Sequence, residues 1–307
     1  MNTTSRRTRL TGYACALGAG SIWGTTGPLS TLLYSQGAAL TGIGFWRLVL
    51  GITAILAYGL ARPDLFRIDR NGWLLVGLLG GALVALFEIA YQFAISGAGV
   101  AGAAALLYTA PVLVALLAKP LLGEALTPLR LVLAVVVMAG AVLAVLGGSR
   151  AGVAIPTTLR AGVLGGALAA LSYVGTTLLA RYAVPRYGAM RVLLLEILGG
   201  IVILGLVLVL ARRPPLPPPT PGAWVYTALL GAGTVVIANV LFFNATKRID
   251  AAPTAVAATI EPVVATLLAF VLFGQRLSAL GTLGLVMVVG GVAGGYLEEA
   301  RGVRGER

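Results

Sequence analysis

Apolar residues in this chain come in runs of about twenty, each ended by a glycine-, proline- or arginine-bearing break. A bilayer core about 30 Å thick takes roughly 20 residues of helix. Ten such runs predict ten transmembrane helices, at 12–33, 41–61, 72–96, 99–118, 128–147, 160–182, 188–211, 223–246, 251–273 and 278–297. The narrowest break is Ser96-Gly97-Ala98-Gly99, so spans three and four must join through a very short hairpin. The pattern predicts an all-α integral membrane protein in a lipid bilayer.

Composition agrees. Of 307 residues, 59% are hydrophobic and 10% charged, with a mean hydropathy of +0.98. Soluble domains carry about 25% charged residues. So few charges cannot cover the surface of a soluble globule of this size. The net charge of +12 does not point to nucleic acid. The basic residues sit singly or in short clusters at the ends of apolar runs, with no continuous patch interleaved with aromatics.

That placement sets orientation instead. With the N-terminus inside, the cytoplasmic segments hold 16 basic residues. These are Arg6, Arg7, Arg9, Arg62, Arg67, Arg70, Lys119, Arg130, Arg181, Arg186, Arg191, Lys247, Arg248, Arg301, Arg304 and Arg307. The external loops hold 5: Arg150, Arg160, Arg212, Arg213 and Arg276. Both termini are therefore expected in the cytoplasm. The first apolar run is too long for a cleavable signal, which has an apolar region of about 7–15 residues. Ser5-Arg6-Arg7 faintly matches a twin-arginine signal, but cytoplasmic charges flanking helix one are the simpler reading. The external run Pro214–Pro219 should form a stiff polyproline spacer.

An internal repeat organises the chain. At an offset of 151, Ser21-Ile22-Trp23-Gly24-Thr25-Thr26 aligns with Ser172-Tyr173-Val174-Gly175-Thr176-Thr177. The same offset pairs Tyr91 with Phe242, Ala94 with Ala245, Pro111-Val112 with Pro262-Val263, and Gly140 with Gly291. It also pairs Gly123-Glu124-Ala125-Leu126-Thr127 with Gly274-Gln275-Arg276-Leu277-Ser278. The repeats are expected at 12–148 and 160–298, with tails 1–11 and 299–307. Five helices per unit is an odd number, so the second unit enters the membrane from the opposite side. Inverted repeats of this kind recur in secondary transporters, with substrate held near the midplane between the halves.

The paired segments Pro111-Val112…Leu122-Gly123-Glu124-Ala125-Leu126-Thr127 and Glu261-Pro262-Val263…Phe273-Gly274-Gln275-Arg276-Leu277-Ser278 resemble the signature of the drug/metabolite transporter superfamily. The closer resemblance is to its EamA-type, ten-helix branch. Trp23-Gly24 and Phe45-Trp46-Arg47 also fit, and the resemblance covers nearly the whole chain. The second repeat departs from it in having Gln275 where the first has Glu124. Within the branch the chain is similar to bacterial exporters of aromatic amino acids. That similarity implies a bacterial inner-membrane location and a central cavity lined by aromatics of helices three and four. Phe87, Tyr91 and Tyr108, with Tyr173 of helix six, stand at the matching positions.

Charges inside apolar spans are costly and are functional candidates by default. Arg47 and Glu88 both lie roughly 10 Å from the outer ends of their spans, at 1.5 Å per residue. Either they pair, or Arg47 snorkels to the interface while Glu88 lines a wet cavity. Glu196 sits in the inner half of span seven, where Arg181 or Arg191 is its expected partner. Glu261 lies near the midplane of span nine, ahead of Pro262, which removes a backbone hydrogen bond. Its repeat partner is Ala110, so the carboxylate breaks the symmetry, as a site for an asymmetric ligand should. It could meet a substrate ammonium group or carry a coupling proton. The alternative is a protonated glutamate bonded across helices.

Trp23, Phe87, Tyr91, Tyr108, Tyr173 and Phe243 are candidates for an aromatic substrate chamber, joined by Glu88, Glu261 and the polar Asn239. Arg47, Pro28, Pro111 and Pro262 are candidates for structural or gating roles. Thr25, Thr26, Thr176 and Thr177 are read as glue between helices. Small-xxx-small pairs such as Gly20/Gly24, Gly162/Gly166 and Gly290/Gly294 allow close helix contact in lipid, and suit a rocking carrier or a homodimer equally.

The candidate chemistry excludes several classes. With no histidine and the single Cys15, zinc sites, Ser-His-Asp triads and an internal disulfide cannot form. No Gly-x-x-x-x-Gly-Lys-Ser/Thr run exists for ATP. No metal, cofactor or catalytic residue is expected. A membrane-embedded enzyme would lack its constellation, and a channel would lack a ring of charges. The sequence reads as a secondary transporter of small organic solutes working by alternating access, and the resemblance implies amino acids, aromatic ones included, as the cargo. Other metabolites or drugs are the alternative cargo.

Overall fold

The computed structural model describes residues 3–146, 159–274, 276 and 278–305. Arg150, Arg307, Gln275, Leu277 and residues 147–148 of the first repeat lie outside them. Among the described residues the fold is helical, with no strand. Seven helical stretches are long and apolar enough to cross a membrane, and Ala110–Leu122 and Pro128–Ala144 are shorter apolar helices. Exposed leucines and valines such as Leu60, Leu164, Val209 and Val271 cover the outside, as lipid contact requires.

The helices follow the predicted spans, with breaks inside three of them. Span one is α1 (Thr3–Trp23) and α2 (Thr26–Ser35). It is broken at Gly24–Thr25, and Pro28 sits in the first turn of α2, where a missing N–H costs nothing. Span two is α3 (Leu40–Leu60). A short turn α4 (Arg70–Gly72) and a π-helical stretch Trp73–Gly80 lead into α5 (Gly81–Leu107). Then come α6 (Ala110–Leu122), α7 (Pro128–Leu146), α8 (Leu159–Tyr187) and α9 (Ala189–Leu210). Span eight is α10 (Pro221–Leu230), a π-helical stretch Gly231–Ile237 and α11 (Ala238–Thr246). Span nine is α12 (Ala251–Ala258) and α13 (Glu261–Phe273), and span ten is α14 (Ala279–Gly305).

The hairpin expected at 96–99 contains no residue outside the helical assignment of α5. The chain nonetheless reverses there. Gly165 and Gly166 are neighbours on α8, yet one packs on Ala90, Phe93 and Ala94 and the other on Leu106. A straight helix would hold Ala94 and Leu106 about 18 Å apart.

The repeat offset is written into the geometry. Helix α6 starts after a break at Tyr108–Thr109 and α13 after one at Thr259–Ile260, again 151 apart. Pro111 and Pro262 occupy the first turn of each restarted helix. Both helices end on a left-handed glycine, Gly123 at φ 71° and Gly274 at φ 64°, a C-cap conformation that other residues adopt at a cost. The carbonyl of Leu83 accepts from Ser172 Oγ at 2.6 Å, and the carbonyl of Thr234, its repeat equivalent, accepts from Trp23 Nε1 at 2.9 Å. In the seam between α7 and α14, Gly140 meets the backbone of Gly284 and Val288 while its equivalent Gly291 meets Val137 and Leu133.

The loops sort into two ends. At one end Gly12 abuts Arg248 and Ile249, Tyr13 donates to the Gly295 carbonyl at 3.1 Å, and Arg191 donates to the Asp64 carbonyl at 2.8 Å. At the other, Trp46 donates to the Pro215 carbonyl at 3.3 Å, and Thr220 hydrogen-bonds Gln36. The start of α1 and the close of α8 share an end, so the second repeat runs opposite to the first.

Candidate functional site

Three helix interruptions meet at the middle of the bundle. Gly20 and Gly24 let α1 lie directly against the break in span nine. A Cβ on Gly20 would sit 2.1 Å from the Ala258 carbonyl oxygen, and one on Gly24 would sit 2.8 Å from the Glu261 carbonyl oxygen. The Ala258 carbonyl is the one left without an i+4 donor by Pro262. Glu261 is thus the first residue of α13, at a helix start inside the membrane, rather than a mid-helix carboxylate. It is only partly enclosed by the protein.

Around it stand the phenols of Tyr91, Tyr108 and Tyr173, all within electrostatic reach of its carboxylate. Tyr91 is also within electrostatic reach of Arg47. Phe87 stacks on Tyr91 at 5.5 Å, with rings 9° from parallel. Trp23, fixed by its bond to Thr234, packs against Tyr173 at 6.1 Å and Phe242 at 5.2 Å. Tyr173 and Phe242 are 6.0 Å apart, closing a three-ring cage.

The π-helical stretch in span eight explains one of these contacts. Widening the turn releases carbonyls from the helical ladder. The freed Thr234 carbonyl serves both Trp23 and Asn239, whose amide donates to Thr234 at 3.1 Å and to Val235 at 3.0 Å. Asn239 therefore spends its donors on its own helix.

Arg47 and Glu88 pair, Nη2 to Oε1, and both are largely buried. Arg47 Nε is buried with no hydrogen-bond partner. The expected partners of Glu196 are engaged elsewhere. Arg181 binds Glu124, Asp250 and the Thr246 carbonyl, while Arg191 binds the Asp64 carbonyl. Glu196 is instead buried against Gly80 and Leu179 with Oε1 unpartnered. Its position within α9 points it at the core, and the arginines lie too near the helix ends to follow it.

Phe242 and Phe243 both lie in one buried apolar cluster, and of the two it is the Phe242 ring that meets Trp23 and Tyr173. The signal for Phe242 was its repeat pairing with Tyr91. The hydroxyls of Thr25, Thr176 and Thr177 do not bridge helices; each bonds a carbonyl three or four residues earlier in its own. Ser172 makes the crossing bond instead. Of the small-residue pairs, Gly20/Gly24 forms a close contact, whereas Gly290 meets nothing within 4 Å. Among the described residues no group of His, Cys, Asp and Glu could hold a metal ion.

Comparison with known proteins agrees with this architecture. The profile of the EamA-like transporter family matches the chain twice, at residues 10–146 and 160–296. An uncharacterized transporter of Archaeoglobus fulgidus is 28% identical over 268 residues, spanning 87% of this chain and 90% of that protein. A solved crystal structure of a protein 25% identical in sequence superposes with a TM-score of 0.80, covering 95% of this chain and 99% of the other.

Proposed function

Because the chain belongs to the EamA-like transporter family, a membrane transporter of small solutes is the premise, and we propose that it is a secondary carrier of amino acids, aromatic ones included, working by alternating access. The observation that carries the reading is Glu261 at the broken midpoint of span nine, facing three phenols beside a cage of Trp23, Tyr173 and Phe242. A carboxylate beside unspent backbone carbonyls suits a substrate ammonium group, as half-helix ends do in other carriers. Aromatic rings suit an apolar side chain, and phenol tips add hydrogen bonds without charge. Tyr91, Tyr108 and Phe87 complete the chamber in this reading. The paired Arg47 and Glu88 hold its outer wall, and Pro111 and Pro262 keep the two breaks open.

Counterflow in proteoliposomes tests it. Vesicles preloaded with unlabelled amino acids should take up labelled phenylalanine, threonine or methionine saturably, each competing with the others. Glu261→Gln should lower the rate at least about tenfold, or remove its response to a pH gradient. A folded preparation with no uptake of any amino acid would sink the cargo assignment, and drugs or other metabolites would be tried next. Full activity of Glu261→Gln would remove the residue from the site.

A further inference from the structure

At the end of the bundle that carries the N-terminal start of α1, charged side chains from five segments interlock. Arg181, near the close of α8, binds Glu124 of the α6–α7 loop at 3.0 Å and Asp250 of the α11–α12 turn at 3.0 Å. It also donates to the Thr246 carbonyl. Arg130, at the start of α7, binds Asp250 at 3.0 Å and reaches Glu298 of α14 at 3.8 Å. Glu124 accepts the Ala251 backbone N–H at 3.0 Å, and Glu298 accepts from Thr127 at 2.6 Å.

These four ion pairs all join the first repeat to the second or tie the second repeat's own ends together around them. Arg47–Glu88, by contrast, links two helices of one repeat. The repeat offset makes the difference between ends visible. The positions equivalent to Glu124, Arg130, Arg181, Asp250 and Glu298 hold Gln275, Gly281, Ser30, Gly99 and Gly147, and none is charged. Two contacts that join the repeats at the opposite end are neutral: Trp46 on the Pro215 carbonyl and Thr220 on Gln36.

We propose that this cluster is a one-sided ionic lock, which holds the carrier closed at the end bearing its N-terminus, the repeat-equivalent positions at the other end being uncharged. Two inverted repeats with equivalent packing would exchange inward- and outward-facing states on nearly equal terms. Ion pairs present in only one of those states bias the pair toward it, by their differential free energy. Burial pushes the Glu124 carboxyl above the usual carboxylate range, ahead of the opposing pull of the Ala251 N–H and Arg181. Desolvation thus works against the Coulomb attraction at Glu124, which leaves a lock that can open in each cycle. The lock lies against the α6–α8–α12 packing layer, where Ala255 and Val114 are buried. When it opens, that layer should part.

The proposal rests on the alternating-access reading, but its test needs no substrate, so either can fail without the other. In a Cys15→Ser background, Ala255→Cys reports on that layer and Trp46→Cys reports on the opposite end. Maleimide labelling rates are compared in membrane vesicles with and without Arg181→Gln. Loss of the lock should speed labelling at position 255 about tenfold, the change expected from removing a partly exposed ion-pair network. Labelling at position 46 should stay equal or slow. Equal rates at 255, or faster labelling at both reporters, would overturn the lock, the second because it means general loosening.

Discussion

At the residue scale, buried charge is governed by whether a partner is in reach. Arg47 and Glu88 have each other, so removing one leaves the other buried alone, while removing both leaves neither. Arg47→Gln or Glu88→Gln singly should destabilise the protein by about 3 kcal/mol, and the double variant by clearly less. Thermal midpoints in detergent measure this. Additive losses would mean that each residue serves something other than the pair. The pairing was half legible in the sequence, since matched depths allowed it but could not exclude snorkelling. The isolation of Glu196 was not legible, because helix rotation decides which arginine a mid-helix carboxylate can reach.

At the element scale, glycines set how near two helices come. Without a hydrophobic drive between helices in lipid, close van der Waals packing holds them together. Gly199 has the Gly77 carbonyl oxygen 1.9 Å from where its Cβ would be, and Gly80 has Glu196 Cγ 2.7 Å away. Gly199→Ala must force the π-helical entry to span three away from α9, at a cost of about 1–3 kcal/mol. Gly290→Ala meets open space and should leave the thermal midpoint unchanged or slightly higher, since alanine favours helix. Equal losses in both variants would refute the close-contact argument. The glycine spacing in the sequence did not separate these cases, because a small-xxx-small pair records a face and not what the face meets.

At the scale of the whole molecule, symmetry and its violations organise the chain. The two breaks, the two left-handed C-caps and the paired carbonyl acceptors obey one offset. Glu261, the interruption of span one and the ionic cluster violate it. The loop contacts place the start of α1, the 2–3, 4–5, 6–7 and 8–9 connections and the close of α14 together at one end. With arginines concentrated there, that end should face the cytoplasm. A fluorescent or phosphatase reporter fused after residue 307 should read as cytoplasmic, and one inserted in the 213–220 loop as external. The reverse pattern would overturn the orientation while leaving the fold unaffected.

Length, hydropathy and the offset of 151 were enough to give ten apolar runs and an inverted repeat, because the thickness of the bilayer and the parity of five helices admit few alternatives, while the family came from the resemblance carried by the paired motifs. The same reading placed Trp23, Tyr91, Tyr108, Tyr173 and Glu261 in one chamber on the strength of the repeat and the resemblance. Tertiary structure alone decided that Phe242 packs on Trp23 and Tyr173, that Asn239 is spent on its own helix, and that five charged residues far apart in sequence meet at one end. One residue of helix is a rotation of about 100°, so which side chain faces inward, and what it meets there, depends on the neighbouring helices rather than on the run of residues that contains it.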